Sequence, residues 1–292
     1  MDIPLLTLHD GNKIPQLAFG TGTSWFKKVG DTEVDQDLVE VTKAAIQKGF
    51  YHLDCAEMYG TEEEVGIAIK EAGVPREKLF ITNKVNQGIG DIPGAINTSL
   101  RKLQIQYFDL YLIHSPYFAN SDSDFQRVWK SMEDIKRAGK AKSIGVSNYL
   151  RPHIEATLNG ATDPPVLNQI EFHPYLQRAG GYISWLRENR VHVGSFKGLT
   201  PAFRAPDGPL QEPLARIADA HSTTEAVVLL AWIMQNNIVA VTTTRKPERL
   251  DEYVQALQTK LTVEEVQEIT DIGSTYHFRT SLGKHFEEDD RS

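Results

Sequence analysis

Short apolar runs alternate along the chain with longer stretches in which apolar residues return every three or four positions. Apolar residues at 5–8 and 17–19 flank Asp10-Gly11-Asn12. Asp-Gly is a strong tight-turn signal, so 5–20 reads as a small hairpin running into a strand. Leu38, Val41, Ala45 and Ile46 mark a helix that ends at Gly49. Residues 52–55 read as a strand. Thr61-Glu62-Glu63-Glu64 reads as the capped start of a second helix, with acidic residues at its positive end. The same rhythm predicts strands over 79–82, 108–113, 143–146, 166–170, 191–194 and 238–241. Helices are predicted over 92–103, 125–137, 152–158, 181–189, 213–220, 223–235 and 247–256.

With the strand near Leu17, the pattern is eight strands, each followed by helix. Such alternation implies a parallel sheet covered on both faces. In a chain of 292 residues it closes into an α/β fold, the (β/α)8 TIM barrel. The rival is an open doubly wound sheet, which expects Gly-x-Gly-x-x-Gly after its first strand. Gly20-Thr21-Gly22-Thr23-Ser24-Trp25 lacks the third glycine. No composition break divides the chain. One domain over 1–292 is therefore expected, with an N-terminal hairpin, a C-terminal loop over the barrel mouth and a polar, partly flexible tail from about 274.

Composition narrows the partners. The chain is 40% hydrophobic and 24% charged, which excludes disorder of the whole. A net charge of −8 argues against nucleic acid and acidic membrane surfaces. Met1-Asp2-Ile3-Pro4 shows no basic or apolar leader pattern. The longest apolar run, 226–234, falls short of the about 20 residues of a membrane span and reads as a buried helix. A lone cysteine, Cys55, excludes an internal disulfide framework and favours a reducing compartment. A cytoplasmic protein is expected, monomeric or weakly dimeric, acting on a small molecule.

Barrels of this kind gather reactive groups at the C-terminal ends of their strands. Those ends carry Trp25, Asp54 and Tyr59, Lys84, His114, Ser147-Asn148, Gln169, Phe196-Lys197 and Thr242-Thr243-Thr244. Asp54, Tyr59, Lys84 and His114 each have an ordinary structural explanation in isolation. Their convergence on one mouth from successive strands points to chemistry.

These segments resemble the aldo-keto reductase family. Gly49-Phe50-Tyr51-His52-Leu53-Asp54-Cys55-Ala56-Glu57-Met58-Tyr59, with Glu63-Glu64-Val65-Gly66, is similar to its first signature. Ile81-Thr82-Asn83-Lys84, the run from Asp109 to Pro116, Ile144-Gly145-Val146-Ser147-Asn148-Tyr149 and Asn168-Gln169-Ile170-Glu171-Phe172-His173-Pro174 follow in the family's order. The resemblance covers about residues 5–273, and the Gly-Thr-Gly-Thr-x-Trp opening is most like the fungal NADPH-dependent ketoreductase branch.

It implies reduction of aldehydes or ketones by a nicotinamide cofactor. Hydride addition to a carbonyl creates an alkoxide that needs a proton. Tyr59 would supply it, Lys84 would lower its pKa, Asp54 would hold Lys84, and His114 would orient the carbonyl. No metal is implied, and no HExxH or paired Cys/His spacing suggests one. By matching, Ser147, Asn148 and Gln169 would bind the nicotinamide amide and Phe196 would stack on its ring. Lys197 would reach the pyrophosphate, and Gly22, Thr23 and Leu199 complete that side. Thr242, Thr243, Thr244, Arg245, Arg249, Glu252 and Tyr253 would form the adenosine end. Thr243 replaces the family's phosphate-pairing lysine, so NADPH is favoured through Arg249 while NADH stays open.

For substrate, Trp25 would wall the pocket and Tyr117 and Phe118 its entrance. Ser115 and Asn86 stand where the family often has tryptophan, which implies a wide pocket suited to bulky ketones or keto esters. A Schiff-base lyase using Lys84 and an NADPH-sensing auxiliary subunit are the alternative readings.

Overall fold

The computed structural model describes residues 3–28 and 30–292. Its centre is a closed barrel of eight parallel strands: β3 (Leu17–Gly20), β4 (His52–Asp54), β5 (Phe80–Val85), β6 (Phe108–Ile113), β7 (Ala141–Ser147), β8 (Leu167–Glu171), β9 (His192–Phe196) and β10 (Val239–Thr242). Each strand pairs with the next in sequence, and β10 returns to β3 through Ala240↔Leu17 and Thr242↔Phe19.

The antiparallel hairpin is β1 (Leu5–Thr7) with β2 (Lys13–Pro15). The sequence pattern set 5–8 against 17–19. In the structure 13–15 returns the hairpin and 17–20 is already barrel. Leu8 and Ile14 cluster with Phe80, Leu167 and Val239, which lie at strand starts, so the hairpin plugs the N-terminal end. The opposite end is left to open outward.

Between strands run α1 (Gln36–Gln47), α2 (Glu62–Ala72), α3 (Ile92–Leu103), α4 (Asp122–Arg137), α5 (Arg151–Leu158) and α6 (Tyr182–Glu188). Helices α7 (Thr200–Phe203), α8 (Gln211–Ala220) and α9 (Glu225–Gln235) separate β9 from β10, and α10 (Glu248–Gln255) and α11 (Val263–Ser274) follow. The apolar run 226–234 forms most of α9 and is buried throughout. Among the described residues, no helix is long and apolar enough to cross a membrane.

Helix α11 was not anticipated, although its start is written in the sequence. Thr262 and Glu265 form a reciprocal capping box, each side chain bonding the other's backbone N–H. Thr61 departs from expectation in the opposite sense. It precedes α2 but makes no side-chain cap, and its hydroxyl donates to the Thr21 carbonyl instead.

Candidate active site

The C-terminal rim of the barrel opens on a cleft of about 630 Å³. Asp54 ends β4 and pairs in register with Thr82 of β5. Side chains alternate along a strand, so Lys84 shares the face of Thr82 and leans toward Asp54. Fully buried, Lys84 Nζ donates to Asp54 Oδ1 at 2.6 Å, to the Cys55 carbonyl at 2.8 Å and to the Tyr59 hydroxyl at 3.2 Å. Tyr59 sits on the short turn Glu57–Tyr59. A Cβ on Gly22 would lie 2.7 Å from its ring, so only glycine lets the two segments approach this closely. His114 follows β6, with its ring 5.6 Å from that of Tyr59. Its Nδ1 is buried without a hydrogen-bond partner.

Burial raises the Tyr59 pKa above the usual phenol value, and the Lys84 ammonium only partly offsets it. Lys84 pulls this pKa down as expected, but burial outweighs it, so the phenol keeps its proton. Burial also opposes the Lys84 charge, but Asp54 and Tyr59 outweigh it and raise the Lys84 pKa. Burial pushes His114 down to about 3, so it is neutral at ordinary pH. The Cys55 thiol is pushed up to about 12, also by burial.

One end of the cleft is built from the ends of β7 to β10. Asn148, in left-handed backbone at φ 62°, donates from Nδ2 to the His114 carbonyl at 2.9 Å and to Ser147 Oγ at 3.1 Å. Ser147 Oγ donates to the Gln169 carbonyl at 2.8 Å. Gln169 Nε2 donates to Asp54 Oδ2 at 2.6 Å, which leaves its amide oxygen as the remaining acceptor. Phe196, Lys197 and Leu199 line the next stretch. Burial and the nearby Arg204 lower the Lys197 pKa, a sign of a cation lacking compensation. At the far end stand Thr242, Thr243, Arg249 and Tyr253, with the Arg249 guanidinium 5.1 Å from the centroid of the Phe203 ring. Thr243 Oγ1 is buried and unpartnered.

The C-terminal segment closes the other end. Thr280, Ser281 and Leu282 line the cleft. Beyond them, the Tyr117 and His285 rings stack at 3.5 Å. Arg279 donates to the Asp290 main-chain oxygen at 3.0 Å, and Arg178 donates to that of Ser292. The Arg178 bond ties the end of the tail to the body of the molecule.

The aldo/keto reductase family model matches residues 16–193 and 206–274. The chain belongs to this family. A "NAD/NADP-dependent indole-3-acetaldehyde reductase" of Schizosaccharomyces pombe is 39% identical over 280 residues, covering 95% of this chain and 98% of that protein. An "NADPH-dependent alpha-keto amide reductase" of Saccharomyces cerevisiae is 35% identical, covering 91% and 90%. Among solved structures, a Bombyx mori aldo-keto reductase in complex with NADP superposes with a TM-score of 0.85 at 27% identity, covering 97% of each chain.

In this aldo-keto reductase several expected site residues lie elsewhere. Trp25 is 2% exposed and packs in the core, with Arg245 4.4 Å above its ring. Its neighbour Phe26 faces the cleft instead, edge-on to Tyr59 at 4.8 Å between centroids. Asn86 starts the short turn Gln87–Gly90, and its N–H donates to Glu57 Oε2 at 2.8 Å. Ser115 Oγ accepts a long bond from the Tyr117 N–H at 3.4 Å, and Phe118 packs on Phe125. None of Trp25, Asn86, Ser115, Tyr117 and Phe118 lines the cleft.

At the far end, Arg245 turns to Asp35 at 3.5 Å. Glu252 accepts from Thr224, which caps α9, at 2.6 Å. Thr244 Oγ1 accepts from the Lys246 N–H at 3.0 Å. These three bond locally and do not line the cleft. Sequence reasoning also missed Ser24, Phe203 and Arg204; it expected a C-terminal loop over the mouth but not that residues 280–282 would form the wall. The aromatic–basic pair Phe203-Arg204, at the end of α7, was the available signal; nothing in the sequence singled out 280–282.

Proposed function

We propose that the protein reduces aldehydes and ketones with NADPH, with Tyr59 as the proton donor. The hydrogen-bonded chain Asp54–Lys84–Tyr59, beside a neutral His114 that lines the cleft, carries this reading. A bound nicotinamide supplies a hydride to the carbonyl carbon. The alkoxide that results takes the Tyr59 proton, and the Lys84 ammonium stabilises the phenolate left behind. Asp54 keeps that ammonium charged and in place. Neutral His114 can donate one hydrogen bond to the carbonyl oxygen and fix its direction.

The far end of the cleft fits a dinucleotide. Lys197, Arg204 and Arg249 line it as cations, and Thr243 offers a buried unpaired hydroxyl. Ser147, Asn148 and Gln169 would hold the nicotinamide amide, with Gln169 offering only its oxygen to that amide's N–H groups. Phe196 would stack on the ring. Arg249, the basic residue of α10 that faces the cleft, would pair with the 2′-phosphate. NADH as an alternative agrees with the dual cofactor name of the S. pombe relative.

Bulky carbonyls, including keto esters, are the substrates we favour. The support is the wall of Phe26 and Leu282, together with the α-keto amide and indole-acetaldehyde names of the two fungal relatives. The lyase reading loses ground on one observation: a fully buried, three-bonded ammonium is a poor nucleophile for a ketone. A one-domain protein in a reducing, cytoplasmic setting remains our inference, supported by the lone buried Cys55. The decisive measurement is NADPH absorbance with keto esters, diketones, aldoses and aromatic aldehydes. Binding of NADPH with no oxidation by any carbonyl would favour the sensing subunit.

A further inference from the structure

The Thr280–Leu282 wall is held by a single carboxylate that stands outside the cleft lining. Glu171 ends β8 and is 1% exposed. Its Oε1 accepts from the Thr280 N–H at 2.8 Å, the Thr280 hydroxyl at 2.6 Å and His173 Nε2 at 3.2 Å. Its Oε2 accepts from the Ser281 N–H at 2.8 Å. Burial alone would push this carboxyl up, yet the donors from His173 and Thr280 hold it at about 2, so it is ionised throughout the working range. His173 is kept neutral by its own burial, so its Nε2 carries the donated proton and its Nδ1 is left without a partner.

The segment it grips is not one the chain adopts unaided. Leu282 has φ 60°, a left-handed conformation unfavourable for a leucine, and it persists where neighbours over-determine it. The residue before it is fixed by the Ser281 bond to Glu171, and the chain beyond it by the Tyr117–His285 stack. Leu282 is thereby aimed into the cleft that also holds Tyr59 and His114.

We infer that Glu171 is a positioning residue for substrate selection: by gripping Thr280 and Ser281 it sets the Leu282 wall, and so decides which carbonyl substituents fit. This rests on the reductase reading above. Glu171 also pairs in register with Phe196 and its charge acts on Lys197, so cofactor affinity has to be measured beside substrate selection.

Glu171→Gln tests it. The amide keeps the volume but turns an NH2 toward donors that previously met oxygen. Loss of charged hydrogen bonds of this kind corresponds to ~10-fold faster exchange at the Thr280 and Ser281 amides, read by hydrogen–deuterium exchange. With it, KM for a bulky keto ester should change ~5- to 10-fold while kcat/KM for a small aldehyde stays level and the NADPH Kd moves less than that KM. Thr280→Val, which removes one donor and keeps shape, should move the same quantities less. It carries the test if Glu171→Gln does not fold. Unchanged amide exchange overturns the inference. So does faster exchange with equal losses on both substrates and on NADPH, which would mark a purely structural role. If none of the carbonyls offered leads the unmutated chain to oxidise NADPH, the reductase reading falls first and this inference with it.

Discussion

The two ends of the cleft are held by different means. At the far end most side chains stand on or just past the strands β7 to β10, joined by Arg204 after α7 and Arg249 and Tyr253 of α10, and bonds run between adjacent strands, as from Ser147 to Gln169. At the near end the walls are loops tied down from a distance. Phe26 belongs to a loop that Lys27 fastens to the fully buried Glu64 at 2.7 Å, and Glu64 also accepts from the Asp35 N–H at 3.1 Å. The 280–282 wall hangs on Glu171. Barrel closure fixes the first kind of wall directly. The second kind depends on two buried carboxylates, each worth little unless its geometry is kept. A cofactor common to many reactions suits the first, and a variable substrate suits the second.

The sharpest test falls on the group between the two ends. Tyr59→Phe removes only the donated proton and should lower kcat by ~10²–10⁴ with NADPH binding retained, as read by fluorescence titration. Lys84→Met should approach the same loss. Near wild-type turnover in the phenylalanine variant would discard Tyr59 as the acid. The pH profile offers a check on sign. Reduction needs the protonated phenol, whose pKa burial raises, so activity should fall only on the alkaline side. His114, at about 3, should add no limb near neutrality. An inflection near 6.5 that vanishes in His114→Gln would reassign the proton donor.

Gly22→Ala follows in size. A Cβ 2.7 Å from the Tyr59 ring forces that ring to shift, and misplacement by about 1 Å can cost ~10² in rate. Stability should change little if the shift stays confined to the ring, which thermal melting would report. A variant with normal kcat would mean that the two segments can part without harm.

At the far end, Arg249→Ala should weaken NADPH far more than NADH, by ~10-fold or more, the worth of a charged hydrogen bond. Arg245→Ala is the control. Its guanidinium is drawn to Asp35 and Trp25, so the cofactor ratio should stay put. A large Arg245 effect would show that this arginine swings into the cleft when cofactor binds.

How far the sequence carried the reading follows the same division. Period and strand count predicted the barrel, because closure leaves few alternatives once eight strands alternate with helices. Asp54, Tyr59 and His114 line the cleft where strand ends predicted them, with Lys84 buried behind. Most of the residues matched to the cofactor also line it. Arg245, Glu252 and Thr244 do not, because each finds a polar neighbour nearby. On the substrate side the choice between Trp25 and Phe26 is decided by one residue of loop register, which no hydrophobic period reports. The 280–282 wall depends on a contact to Glu171, 109 residues before Thr280, a pairing that local pattern cannot encode.

The smallest effect separates the substitution suggested by family pattern from the one suggested by geometry. Ser115 occupies the position after His114, and an indole there was expected to exclude bulky ketones. Yet Ser115 lies off the cleft lining, turned toward the Tyr117 N–H. Phe26 and Leu282 hold the places that an obstructing or missing side chain would alter. Phe26→Ala should therefore shift the ratio of kcat/KM for a bulky over a small carbonyl by several-fold, since one aromatic contact is worth ~0.5–1.5 kcal/mol. Ser115→Trp should move that ratio by less. The comparison needs one keto ester and one short aldehyde on three proteins, with NADPH held saturating. If Ser115→Trp discriminates more strongly than Phe26→Ala, the substrate enters beside β6 rather than between Phe26 and Leu282, and the near wall has been drawn on the wrong side.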